Sequence, residues 1–136
     1  MTYLLDTNAC ISHLKHPGTS KVTQRMAAQP PGEVVLCSVV KAELLYGARA
    51  SRDAVKNLAE LQRFFGVLTS LPFDDAAAEK YGEIRATLSA AGTLIGPNDL
   101  MIGAITLANN LTLVTHNVSE FSRVPGLKLE DWEGGP

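Results

Sequence analysis

No stretch of the chain approaches the roughly 18 apolar residues that a membrane-crossing helix needs, and the start, Met1-Thr2-Tyr3, lacks the basic head of a signal peptide. A soluble, cytoplasmic protein without membrane association is expected. Cysteine is scarce: Cys10 and Cys37 lie in apolar surroundings, and neither has a partner at metal-ligand spacing. That excludes a disulfide framework and a zinc centre, and both thiols are expected as reduced core residues. A basic excess is missing as well. The formal charge is −2, so any affinity for a polyanion must come from a local patch rather than from a global field. Aromatic residues make up 6% of a chain that is 46% hydrophobic, which leaves Leu, Val, Ile and Ala to build the core. Such a mix suits helices packed on a sheet. Repeats, low-complexity tracts and long charge runs are also absent. The 136 residues fit one domain, 1–136, and at that size roughly two-thirds of the unfolded chain's surface is buried on folding.

What the chain does have is alternation. Strand-like apolar runs fall at Tyr3–Leu5, Val34–Cys37, Leu68–Phe73 and Leu111–Thr115, with a weaker one at Leu127–Leu129. Helical segments lie between them. The first begins after Asp6, where Asp, Thr and Asn supply oxygens for free N–H groups, and runs through Ile11 and Leu14 towards Pro17. Others are expected over Thr19–Ala28, over Val39–Ala50 with Ser38 as cap, over Asp53–Gly66, over Asp75–Ala91 ended by Gly92, and from Gly96-Pro97-Asn98-Asp99 to Asn110. Strand followed by helix, repeated, implies an α/β fold: a three-layer α/β/α sandwich around a mostly parallel sheet of four to five strands.

In open parallel sheets ligands collect at the carboxyl ends of the strands. Asp6 stands at such an end, although a lone aspartate there serves equally well as a helix cap. Glu43 is harder to assign to solvent: at 100° per residue it projects with Val39, Val40 and Gly47, on the inward apolar side, whereas Lys41 and Ala48 point the other way. Asp99 shares a face with Ile102, Gly103 and Thr106, and Gly103 leaves room for an ion, a substrate or a close helix contact; the alternative is that Asn98 or Asp99 only caps its helix. Thr115-His116-Asn117 follows the fourth strand as Thr7-Asn8 follows the first, with Glu120 one turn beyond. Convergence of these acids at one sheet edge is the economical explanation. Carboxylates within 4 Å repel by about 4 kcal/mol per pair at an effective dielectric near 20, so such a cluster calls for protons or a cation. All-oxygen ligands suit Mg²⁺ or Mn²⁺, whose natural chemistry is phosphodiester hydrolysis.

Four spaced segments carry a likeness that runs nearly end to end: YLLDTN, SVVKAELLYGA, GTLIGPNDLMIGAI and LVTHNVSEFSRVPGLKLEDW. With them the chain resembles a PIN-domain ribonuclease, specifically the VapC-type toxin of bacterial type II toxin–antitoxin pairs. The resemblance implies that Asp6, Glu43 and Asp99 hold Mg²⁺ or Mn²⁺ with Asn117 at the fourth position, and that Thr7 and Asn8 orient Asp6. That fourth position is often aspartate in the family; the asparagine here puts a second fully ligated metal in doubt, and Glu120 is placed to compensate. The implied reaction is attack of a metal-activated water on an RNA phosphodiester, with Glu43 or Asp99 orienting or deprotonating it and tRNA-like molecules as the target class.

Lys41, Arg49, Arg52 and Lys56 are candidate contacts to the RNA backbone. His13, His16 and His116 form no nucleophile–base pairing, and His116 is read as substrate-facing or structural. The resemblance also implies a small antitoxin that quenches the site and a homodimer, with Leu14, Phe64, Phe65 and Leu68 as contributors to either interface or to the core. Two rivals remain at this point: a haloacid-dehalogenase-type phosphatase, which wants a second aspartate where Asn8 stands, and a catalytically degenerate PIN-like binding module.

Overall fold

The computed structural model describes residues 1–134. In chain order the elements are β1 (Tyr3–Leu5), α1 (Thr7–Lys15), α2 (Lys21–Ala27), β2 (Val34–Cys37), α3 (Ser38–Arg49), α4 (Ala54–Phe65), β3 (Ser70–Leu71), α5 (Asp75–Ala90), α6 (Pro97–Ala108), β4 (Thr112–Val114), α7 (Val118–Phe121) and β5 (Lys128–Glu130). The strands form one parallel sheet in the order β3-β2-β1-β4-β5, flanked by the helices. Tyr3 pairs with Val34 on one side and Thr112 on the other, so β1 is the centre from which the chain winds both ways. Leu4, Leu5, Val35, Leu36 and Leu113 are fully buried, as expected of short strands covered on both faces.

Several boundaries follow from local chemistry. Ser20 caps α2 by accepting from the Val22 N–H at 3.2 Å. Gly92 has a φ of +69°, and the Thr93 N–H reaches back to the Leu88 carbonyl at 2.9 Å, a left-handed close that glycine adopts without steric cost.

Three expectations are corrected. The third strand is two residues long, not Leu68–Phe73: it lies at the sheet edge, and Pro72 has no N–H with which to extend a ladder. Ser38 does not cap α3. The cap position is Cys37 without a side-chain bond, and the Ser38 hydroxyl donates to the Leu71 carbonyl at 3.3 Å instead. Ala48 is buried rather than outward, because α4 packs against the side of α3 away from the sheet. The four-residue α7 was not expected from the sequence. Cys10 and Cys37 are free and fully buried. Among the described residues no helix is long and apolar enough to cross a membrane.

Candidate active site at the carboxyl end of the sheet

β1 ends at the point where its neighbours β2 and β4 lead to different helices, the switch point at which such sheets leave a crevice. Asp6 occupies it. Its N–H donates to the Val114 carbonyl at 3.0 Å, and its Oδ1 accepts from the Ala9 N–H at 2.8 Å, which caps α1. Cap and site acid are therefore the same residue. Asp6 is 5% exposed. Burial raises its pKa above the usual carboxylate range against the Thr115 hydroxyl and the Ala9 N–H, which lower it; the charges of Glu133 and Glu43 add to the rise.

Glu43, on α3, accepts from the Thr7 hydroxyl at 2.7 Å. Thr7 thus holds Glu43 rather than Asp6, and Asn8 is exposed at the edge of a cleft; neither orients Asp6 as expected. Asp99 is the third residue of α6, behind Gly96 at the cap and Pro97 in the first turn, so the capping alternative for Asn98 and Asp99 fails. Burial first, then the charges of Glu43, Glu120 and Asp6, push the Asp99 pKa up to about 6. One group feels three other carboxylates from separate parts of the chain. Gly103 is buried, with Leu127 Cδ2 3.9 Å from where a Cβ would stand, so its neighbour is an apolar side chain.

Among the described residues no three Asp, Glu, His or Cys side chains are gathered at metal-ligating spacing. The expected acids therefore act on one another through their charges without being gathered into a ready ligand set, and Glu43 is bonded to the Thr7 hydroxyl.

Two clefts have α1 as a common wall; Glu43 lines the first, and Asp6 and Asp99 line neither. One, of about 410 Å³, is a largely apolar groove between α1, α3 and α4, with Ile11, Leu14, Leu44, Ala48, Leu61 and Glu43 in its lining. The other, of about 570 Å³, has mostly polar residues in its lining, Asn8, Lys15, His16, His116, Asn117 and Glu133 among them. Ile11 and Lys15 border both.

Asn117 precedes α7, and its N–H donates to the Thr115 hydroxyl at 2.9 Å. His116 Nδ1 lies 2.9 Å from Asp131 Oδ2, a bond that with the Asp131 charge raises the histidine pKa. Asp131 Oδ1 accepts from the Glu133 and Gly134 N–H groups, at 2.9 Å each. Desolvation opposes ionisation of Asp131, but these N–H groups and His116 hold its carboxyl below the usual range. Sequence reasoning missed Lys15, Asp131 and Glu133. Of the expected RNA contacts, Lys41 lies 4.7 Å over the Phe65 ring, and among the described residues Lys41, Arg49, Arg52 and Lys56 line neither cleft. His13 is tied to the Thr23 hydroxyl at 2.7 Å, away from the acids.

A sequence profile of the PIN domain matches residues 3–127. Ribonuclease VapC2 of Rickettsia felis is 38% identical over 134 residues, covering 98% of this chain and 99% of its own length. The chain belongs to the PIN-domain family, among the VapC ribonucleases. The tRNA(fMet)-specific endonuclease VapC of Shigella flexneri is 39% identical over 132 residues, covering 97% and 98% of the two chains. In the crystal structure of DNA-bound VapBC from Salmonella typhimurium, a chain 36% identical superposes with a TM-score of 0.92, with 97% and 98% covered.

PIN-domain nucleases are in general metal-dependent, and the oxygen-only donors here, with Asp99 pushed up to about 6, suit a hard cation. Such a charge cluster predicts a stability signature. A carboxylate whose folded pKa lies above its unfolded value contributes stability that is complete below pH 3.8 and is lost as pH rises through about 6. Asp99 is half-buried, so after solvent screening the loss is on the order of 1 to 2 kcal/mol. The expected result is that Asp99→Asn melts with wild type at pH 4 but several degrees above it at pH 7.5. Mn²⁺ raises the wild-type melting temperature at pH 7.5, and the rise vanishes at pH 4 and in the variant. Differential scanning fluorimetry reads both effects.

Proposed function

We propose that this VapC-type PIN domain is a divalent-metal-dependent endoribonuclease, the toxin of a toxin–antitoxin pair, acting on RNA of the tRNA class with Mg²⁺ or Mn²⁺. The reading is supported by the family match together with the Asp99 carboxyl, which burial first and then the charges of Glu43, Glu120 and Asp6 push up to about 6, so acids scattered along the sequence act on one another near the strand ends. In this reading Asp6, Glu43 and Asp99 hold the ion. When bound, it supplies Lewis acidity towards a phosphoryl oxygen and a water acidified for attack. Asp6 is fixed by the start of α1; Glu43 has to turn from Thr7, and Asp99 has to give up its proton, so metal uptake releases protons. Asn117 brings a carbonyl oxygen without charge, and Glu120, whose charge acts on Asp99, is the acid nearest in sequence to replace it.

The family match and Asn8 together leave the phosphatase alternative without support. Structured tRNA incubated with the purified protein and Mn²⁺ is cleaved in this reading and stays intact in EDTA. Binding of Mn²⁺ without cleavage of any RNA would instead favour the degenerate module. Sequencing 5′ ends after induction identifies the bond cut.

An antitoxin partner is supported by structural neighbours that are VapBC complexes. The largely apolar groove that Glu43 lines has the shape for an amphipathic segment of such a partner, with a cation to meet that carboxylate. Leu14→Glu is expected to weaken the cognate antitoxin about 100-fold by isothermal titration, as for a buried interface anchor, without slowing RNA cleavage. A homodimer is proposed on the exposed Tyr46, Val55 and Val67 and is read by sedimentation velocity. A cytoplasmic location follows from the substrate class and from two free thiols.

A further inference from the structure

Apart from Asn117, the residues that line the second cleft have no part in the proposed metal site. At about 570 Å³ this cleft falls within the roughly 300 to 1,000 Å³ range of small-ligand sites, and its chemistry differs from that of the groove across α1. Its lining brings together a lysine (Lys15), two amides (Asn8 and Asn117), two histidines (His16 and His116) and a carboxylate (Glu133).

His116 is the telling element. Its side chain is 64% exposed, so packing does not fix it. Instead its Nδ1 is bound by Asp131 at 2.9 Å, and Asp131 is itself locked by two backbone N–H groups. A solvent-facing aromatic ring pinned from behind keeps a face and one edge available without the entropic cost of ordering it on binding.

We propose that this cleft is a subsite for one unstacked nucleotide of the RNA next to the scissile phosphate, its base lying on the His116 ring and its phosphate held by Lys15. The proposal rests on the ribonuclease reading. Single-stranded and looped RNA is recognised by splaying bases onto aromatic side chains, histidine included, and bonding their edges. Asn8 offers a donor and an acceptor to such an edge, Asn117 keeps its NH₂ donor when its carbonyl faces the ion, and the Glu133 carboxylate accepts from an exocyclic amino group. Lys15 supplies the backbone cation that Lys41 and Arg49 of α3 do not bring to either cleft. Asp131 is a positioning residue, acting through His116.

The test uses the full chain carrying Asp99→Asn, so that hydrolysis does not interfere, and reads binding of a labelled single-stranded RNA by fluorescence anisotropy. Wild-type cleavage with Mn²⁺ is assayed alongside. His116→Ala is expected to weaken binding about tenfold, within the range for one lost stacking contact, and His116→Phe to restore it. Lys15→Ala weakens binding and makes the log–log salt slope shallower by about one. Lys80→Ala, on α5, changes neither. In cleavage, His116→Ala raises KM and leaves kcat within about twofold, a split that a general loss of folding would not give. If His116→Ala and Lys15→Ala bind RNA as the parent does while wild type cleaves, the subsite is wrong and the nuclease reading stands. If the parent binds no RNA and wild type cleaves none, both are lost.

Discussion

Replacing any one of the three central acids, as Asp6→Asn, Glu43→Gln or Asp99→Asn, is expected to lower the RNA cleavage rate about 10³-fold. Loss of about 4 kcal/mol of transition-state stabilisation produces that factor, and withdrawing a charged ligand from a cation that stabilises developing charge on phosphoryl oxygens is an effect of several kcal/mol. The three variants differ in their second readout. Asp6→Asn keeps an oxygen for the Ala9 N–H, now accepted at 2.8 Å, so α1 stays capped. Asp6→Ala adds about 1 kcal/mol of lost stability to the lost chemistry. Asp99→Asn gains stability at neutral pH, because it removes the group whose pKa stands at about 6. A catalytically dead protein more stable than its parent is the signature of a site built from repelling charges. Single-turnover cleavage with saturating Mn²⁺, paired with thermal melts, checks the set; activity within tenfold of wild type for Asp99→Asn would remove Asp99 from the chemistry.

The largest stability effect is expected at Trp132. The side chain is 2% exposed. It meets the Tyr3 ring edge-on at 5.0 Å, lies under the Arg25 guanidinium at 5.6 Å and donates from Nε1 to Glu130 Oε1 at 3.0 Å. Arg25 pairs with the same carboxylate oxygen at 3.4 Å, so one aromatic residue ties β1, α2 and β5 together. Trp132→Ala is expected to cost about 3 to 5 kcal/mol, a large part of the roughly 5 to 15 kcal/mol that holds a domain of this kind folded. Urea denaturation gives the value, and a loss below about 1 kcal/mol would show that the C-terminal residues are dispensable to the core. Trp132 lies between Asp131 and Glu133, so its anchorage also sets the wall of the polar cleft.

Much of the fold was legible because it is written in local patterns. Short apolar runs bounded by polar residues gave four of the five strands closely, and the order of strand and helix gave the parallel sheet. Asp6 could be read from its place at a strand end, and Glu43 from its presence on an apolar helix face. Asp99 was visible for the same reason, with Gly96-Pro97 marking the helix start that places it in the first turn.

What escaped depends on partners distant in sequence. The Thr7 hydroxyl turns to Glu43 on another helix, and nothing near Thr7 announces that choice over Asp6. Asp131 meets His116 only because β5 lies beside β4, with Val114 opposite Glu130. The contribution of Glu133 to the Asp6 environment depends on the same pairing and on the tight turn at Asp131. Charge alone did not single out the lysine that borders both clefts either: Arg49 and Arg52 are exposed but line neither, whereas Lys15 lines both and is marked by helical periodicity as ordinary solvent-facing surface.

Ile11 and Lys15 border both clefts, so the proposed antitoxin segment and the proposed nucleotide subsite share a wall. In that reading a peptide on the greasy flank competes for the Lys15 ammonium that a nucleotide on the opposite flank needs. A shortened antitoxin tail that stops before the carboxylates should still loosen the grip on RNA, making silencing of the toxin graded rather than a simple plug.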